Sequence, residues 1–149
     1  MEMEWCAPMK GAISEVLETM FFEIVEFDRI PAPFDTLYLR SSIELLRNDK
    51  VLHISFLATE FFARSLSSNF LSKNRDELTR DELEDMMREL ANMIGGSFLS
   101  RMAEQDWQLQ IPAFISHTST DEGGRGALQL SREGRRVGMI FLQENTLQG

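Results

Sequence analysis

The chain has 149 residues, 43% of them hydrophobic, which is enough for one compact domain, residues 1–149, with a sizeable core. A formal net charge of −9 with no dense basic patch excludes a protein that works by neutralising nucleic-acid phosphates. The single cysteine, Cys6, cannot form an internal disulfide, a usage that suits a reducing cytoplasm.

The opening "MEMEWCAPMK" lacks the basic start and apolar run of a signal peptide, and acidic residues interrupt every later apolar stretch. The expectation is a soluble, cytoplasmic chain without a membrane span. From Lys10 to about Ile24, Ile13, Val16, Leu17, Met20 and Ile24 fall on one stripe at helical spacing and predict a first helix. Phe21 lies on its outer face with Val25 one turn on, an apolar pair that is either an interface or covered by a neighbouring element. "RIPAPFD" follows, and its two prolines mark a connection.

"LYLRSSIEL" and "KVLHISFLA" alternate on either side of "LRNDK", whose Asn48-Asp49 pair is good turn chemistry, so a β-hairpin is expected. "TEFFARSLSSNFL" returns to helical spacing through Phe62, Leu66 and Phe70, a shorter helix, and "SKNRDEL" reads as connective. At Thr79, "TRDE" fits a capping box with Glu82. A long helix should run from there to about Met102, although the adjacent Gly95 and Gly96 each weaken it by about 1 kcal/mol relative to Ala. "WQLQIPAFIS" alternates Trp107, Leu109, Ile111, Ala113 and Ile115 against more polar neighbours, and "ALQLS" and "RVGMIFLQ" follow around "REGR". The chain thus ends in strands.

The fold expected is α/β in the α+β sense, with two long helices packed on an antiparallel sheet. The order also suggests pseudo-duplicated halves at about 10–72 and 79–145. In that alignment Ser14, Glu18 and Phe21 sit over Asp85, Glu89 and Asn92.

The second of these rows is the candidate site. At roughly 100° per residue, Leu83, Met87, Leu90, Ala91, Ile94 and Phe98 face the core, whereas Asp85, Glu89, Asn92 and Gly96 fall opposite, with Met86 and Met93 on the rim. This is either a solvated helix face or a docking surface. Asn and Gly favour the second, because exposed helix faces normally take Lys, Glu, Arg, Gln or Ala and a bare backbone admits a partner's backbone.

The row D85-x-x-x-E89-x-x-N92 on a long helix ahead of strands, with "RELANMIGG" around it and "EVLETMFF" in the first helix, resembles the CheC/CheX/FliY family of response-regulator phosphatases. One intact motif favours a CheX-like over a CheC-like chain. The resemblance implies hydrolysis of the aspartyl phosphate of a CheY-like response regulator, with Asn92 orienting the in-line water and Glu89 pairing with the partner's lysine. It implies Asp85, Met93 and Gly96 at the contact, Mg2+ supplied by the partner and none bound by this chain, and a homodimer. The first-copy row, with Phe21 in place of the amide, should be chemically silent. Family members carry a downstream proline, for which Pro112 is available. The alternatives are a non-catalytic module of the same fold that binds a response regulator or flagellar-switch component, and a structural dimerisation domain.

Other chemistry is thin. His53 and His117 lack Glu or Cys at zinc-ligand spacing and read as structural. No Gly-x-Ser-x-Gly elbow is present, and "EGGRG" at Glu122 to Gly126 lacks the Lys-Ser/Thr of a phosphate loop and reads as a hairpin connection. The eleven Phe and nine Met are expected to fill the core.

Overall fold

The computed structural model describes residues 3–28, 37–102, 106–119 and 128–146. Its elements are α1 (Met3–Met20), β1 (Glu26–Asp28), β2 (Leu37–Arg47), β3 (Lys50–Thr59), α2 (Glu60–Leu71), α3 (Arg80–Arg101), β4 (Gln108–Leu109), β5 (Ala113–Ser119), β6 (Leu128–Arg132) and β7 (Arg135–Thr146), with a 3-10 turn at Arg75–Glu77. The strands form one antiparallel sheet in the order β1-β6-β7-β3-β2-β4, and β5 also pairs with β2. This is the expected α+β architecture, with helices on an antiparallel sheet. No described helix is long and apolar enough to cross a membrane.

Side-chain alternation on the central strands decides where the core sits. Leu52, Ile54, Phe56 and Ala58 of β3 and Leu39, Ile43 and Leu45 of β2 share a face, and they join Ile13, Leu17, Leu83, Met87, Leu90, Ile94 and Phe98 in one buried cluster. Tyr38, Leu57 and Met139 form a small second cluster on the opposite face. β7 and β3 approach so closely at Gly138 that a Cβ there would lie 2.4 Å from the Leu57 carbonyl oxygen. Only glycine fits that position. Both hairpins are tight: Asn48 takes φ 50° between β2 and β3, and Glu133 and Gly134, at φ 52° and 77°, join β6 to β7. The β6–β7 turn, with positive φ at both central residues, has the type I′ geometry that matches strand twist.

The hairpin, the shorter helix and the long helix with its capping box stand where the sequence places them. The first helix does not. It begins at Met3 because Trp5 and Met9 extend the apolar stripe backwards into the core, and it absorbs Pro8. It ends at Met20 because Phe22 adopts φ 56° and the Glu23 N–H turns back to the Leu17 carbonyl at 2.9 Å. Met20 and Ile24 therefore leave the stripe and stand exposed. The reading of Phe21 and Val25 as an exposed pair is overturned in favour of cover by a neighbour. Both are buried, Phe70 of α2 stacks on Phe21 at 5.1 Å between ring centroids, and Asn69 Nδ2 donates to the Phe21 carbonyl at 2.8 Å.

The single strand expected through "WQLQIPAFIS" is also corrected. Pro112 interrupts it, and the pairing with β2 jumps from Leu45↔Leu109 to Ser42↔Ala113. Trp107 is buried, yet Ile111 is 89% exposed and Ala113 and Ile115 face outward, while Phe114 packs on the core instead. A single irregularity has reversed which side chains face inward. The short β1 lay hidden beyond the first helix, and "SKNRDEL" holds the 3-10 turn. "RIPAPFD", "EGGRG" and the side chain of His117 lie outside the described residues.

Candidate functional site

α3 starts cleanly because its orphan N-terminal donors are satisfied: the Thr79 side chain accepts from the Glu82 N–H, and Glu82 Oε1 accepts from the Thr79 N–H at 2.9 Å. Lys73 Nζ, from the preceding connection, lies 2.8 Å from Glu82 Oε2. That ammonium, then the Thr79 hydrogen bond, holds the Glu82 carboxyl below its ordinary value. The helix is pinned along its inner face. Ile13 and Leu17 of α1 share the buried core cluster with Leu90 and Ile94, and Trp5 stacks on Phe98 at 5.9 Å. Arg101 pairs with Glu15 across the two helices. Gly95 lets the helix backbone lie close to side chains of the sheet, since a Cβ there would sit 3.1 Å from both Ile43 Cγ2 and Leu109 Cδ1.

A helix fixed on one side must present the other. Asp85 and Glu89 are exposed, and Asn92, Met93 and Gly96 are half-buried along the outer face. Over these eleven steps the row spans about 16 Å at the α-helical rise. Glu89 and Asn92 lie three residues apart, so their side chains are neighbours on the surface. Neither takes part in a hydrogen bond or ion pair within the described residues. At Gly96 an added Cβ would meet nothing within 4 Å. An unpaired carboxylate, an unpaired carboxamide and a stretch of bare backbone therefore face outward together. The first can hold a cation, and the second can both donate to and accept from a water.

Two details differ from the expected row. Met86 is buried in the core rather than lying on the rim. Asp85 is not a free carboxylate, because Arg88 pairs with it one turn on. The three-residue spacing could have disclosed that partner. On α1, Ser14 and Glu18 lie toward solvent, whereas Phe21 is buried past the last helical residue. Pro112 stands between β4 and β5. His53 faces Glu44 across the hairpin. Burial holds its imidazole below the ordinary value, Glu44 opposes that and Arg40 adds to it. Among the described residues no group of three or more His, Cys, Asp or Glu could hold a metal ion.

Comparison with known proteins bears on the fold and the family. No curated protein matches the sequence. Among solved structures, the chemotaxis protein CheX of Vibrio vulnificus superposes with a TM-score of 0.79 at 20% identity, covering 95% of this chain and 97% of that one. The CheX–CheY–BeF3–Mg2+ complex of Borrelia burgdorferi gives 0.71 at 16% identity, covering 97% and 99%. A CheC-like protein from Shewanella gives 0.68 at 14% identity, with 97% and 99% covered. These likenesses establish the fold. The family model described as "Chemotaxis phosphatase CheX" matches residues 43–128, a span that contains all of α3 and its outer row. The chain belongs to the CheX family of chemotaxis phosphatases.

Proposed function

We propose that this protein hydrolyses the aspartyl phosphate of a CheY-like response regulator, using the outer row of α3. The observation that carries this reading is the juxtaposition of Glu89 and Asn92, both without partners in the described residues, beside the open backbone of Gly96. On a helix where Glu82, Glu84 and Asp85 each have a cationic partner, the Glu89 carboxylate has none among the described residues and is available to a partner's cation.

In the reaction, water forms the new O–P bond while the bond from phosphorus to the aspartyl oxygen breaks, releasing the carboxylate and inorganic phosphate. The regulator brings its own Mg2+ and lysine to the phosphoryl group. What the free regulator lacks is a water held in line. The Asn92 carboxamide accepts from that water and aims its lone pair at phosphorus, a contribution made through positioning and electrostatics. Glu89 pairs with the regulator's lysine, which sets how deeply α3 inserts. Met93 and Gly96 border the contact, and Asp85 reaches it already paired with Arg88. No covalent intermediate on this chain is required.

The CheX–CheY complex of Borrelia burgdorferi, a protein of the same fold, supports a regulator as the partner. The test is to mix the protein with a phosphorylated CheY-like regulator and follow phosphate release with Mg2+ and with a chelator. Acceleration that needs Mg2+ is expected. Binding without acceleration would replace the phosphatase with a regulator-binding module, and neither would leave a scaffold.

A further inference from the structure

The outer row of α3 meets an anion with acidic side chains. Asp81, Asp85 and Glu89 are all exposed along it, and in the proposed reaction Glu89 also engages the lysine that serves the phosphoryl group. Positive charge must therefore come from elsewhere. α3 carries three arginines. Arg80 pairs with Glu84 and lies over the Phe114 ring, and Arg101 pairs with Glu15 of α1. Arg88 belongs to the outer side. At roughly 100° per residue it lies about 40° from Asn92 and one turn before it, with Glu89 on the other flank of the carboxamide. Residues four apart on a helix are surface neighbours, so the long Arg88 side chain can reach an anion seated over Asn92.

What holds Arg88 in the free protein is weak. Its Nη2 donates to Asp85 Oδ1, its one partner among the described residues. The Asp85 side chain is 73% exposed, so water solvates the carboxylate when the arginine leaves, and such a surface pair contributes little. A phosphoryl group offers more charge and an array of oxygens that a guanidinium matches with parallel N–H bonds. We infer that Arg88 selects the phosphorylated form of the regulator, exchanging Asp85 for a phosphoryl oxygen as the row docks. Asp85 is the counterweight: without a phosphoryl group, the regulator offers Arg88 nothing better than the carboxylate it already has. The inference rests on the response-regulator reading of this face and adds to it a residue that recognises the anion.

The test titrates the full-length protein with a CheY-like regulator carrying Mg2+ alone or Mg2+ with beryllofluoride in place of the phosphoryl group. Wild type should prefer the beryllofluoride form. Arg88→Gln should cut that preference by about tenfold or more, the scale of losing a hydrogen bond to a charged group, by weakening the beryllofluoride complex and leaving the other nearly unchanged. Arg88→Lys should restore part of it, as a point charge without the fork, and Asn92→Ala should keep all of it. Asp85→Asn should strengthen the beryllofluoride complex, and that gain should vanish in the Arg88→Gln background. The inference alone is overturned if wild type shows the preference and Arg88→Gln retains it, if Arg88→Gln weakens both forms equally, or if the Asp85→Asn gain survives without Arg88. A wild-type protein that binds neither form overturns it together with the reading on which it rests.

Discussion

Gly95 and Gly96 are adjacent on α3 and answer to opposite demands. At Gly95 the helix backbone lies against Ile43 and Leu109, and at Gly96 it lies against open space. Gly96→Ala should therefore gain the helix propensity that glycine gives up, about 1 kcal/mol, and raise the melting temperature. Gly95→Ala should gain less or lose, since Ile43 and Leu109 must move by a few tenths of an ångström to admit the methyl group. If a partner's backbone seats at Gly96, the more stable Gly96→Ala variant should also bind a response regulator more weakly. Thermal denaturation of both variants, with a regulator titration of Gly96→Ala, decides the matter. Equal gains in stability at the two positions would contradict this account of the pair. Asn92 belongs with Gly96: on helix propensity alone, neither is a residue that an exposed helical turn selects.

At the scale of the element, α3 depends on how it begins. The Glu82 carboxyl is held below its ordinary value by Lys73 and by the Thr79 hydrogen bond, so folding favours its charged form. That contribution is complete above the unfolded-state value of 4.5 and is lost as pH falls through the lower folded-state value. Glu82→Gln keeps a side chain able to reach back to the cap but cannot pair with Lys73. It should melt below the wild type at pH 7, and the gap should close as the pH drops below about 4.5. A gap unchanged down to pH 2 would mean that the Lys73 pair contributes nothing. This helix start was legible in the sequence because a capping box is a local device, complete within four residues. So was the hairpin at Asn48-Asp49, for the same reason. The end of α1 was not, because the periodicity of Met20 and Ile24 continues past the point where Phe22 turns the chain. Burial of Phe21 depends on Phe70 and Asn69, nearly fifty residues away, and no local pattern reports that. Pro112 hid a register break because alternation read along one stretch assumes that the pleat continues.

At the scale of the whole molecule, the sheet and α1 act as a frame that turns one face of α3 outward. The core positions Leu83, Met87, Leu90, Ala91, Ile94 and Phe98 were legible from spacing and are all buried. It follows that the opposite row must face solvent, and Asp85, Glu89 and Asn92 do. Which of those side chains stay unpaired was not legible, because Arg88 takes Asp85 and leaves Glu89 open. That difference separates two roles. Glu89→Ala should weaken the complex with a phosphorylated regulator by about 2 to 5 kcal/mol if its ion pair is desolvated, with the fold intact. Asn92→Ala should form the complex and fail in the chemistry. The most direct test is the single-turnover rate of dephosphorylation at saturating Asn92→Ala, with Mg2+ present and binding and melting temperature measured on the same sample. The account predicts wild-type binding, an unchanged or slightly higher melting temperature, and a rate lower by roughly 10² or more, the scale of losing a preorganised polar group. A well-folded Asn92→Ala protein that dephosphorylates the bound regulator at the wild-type rate would contradict it.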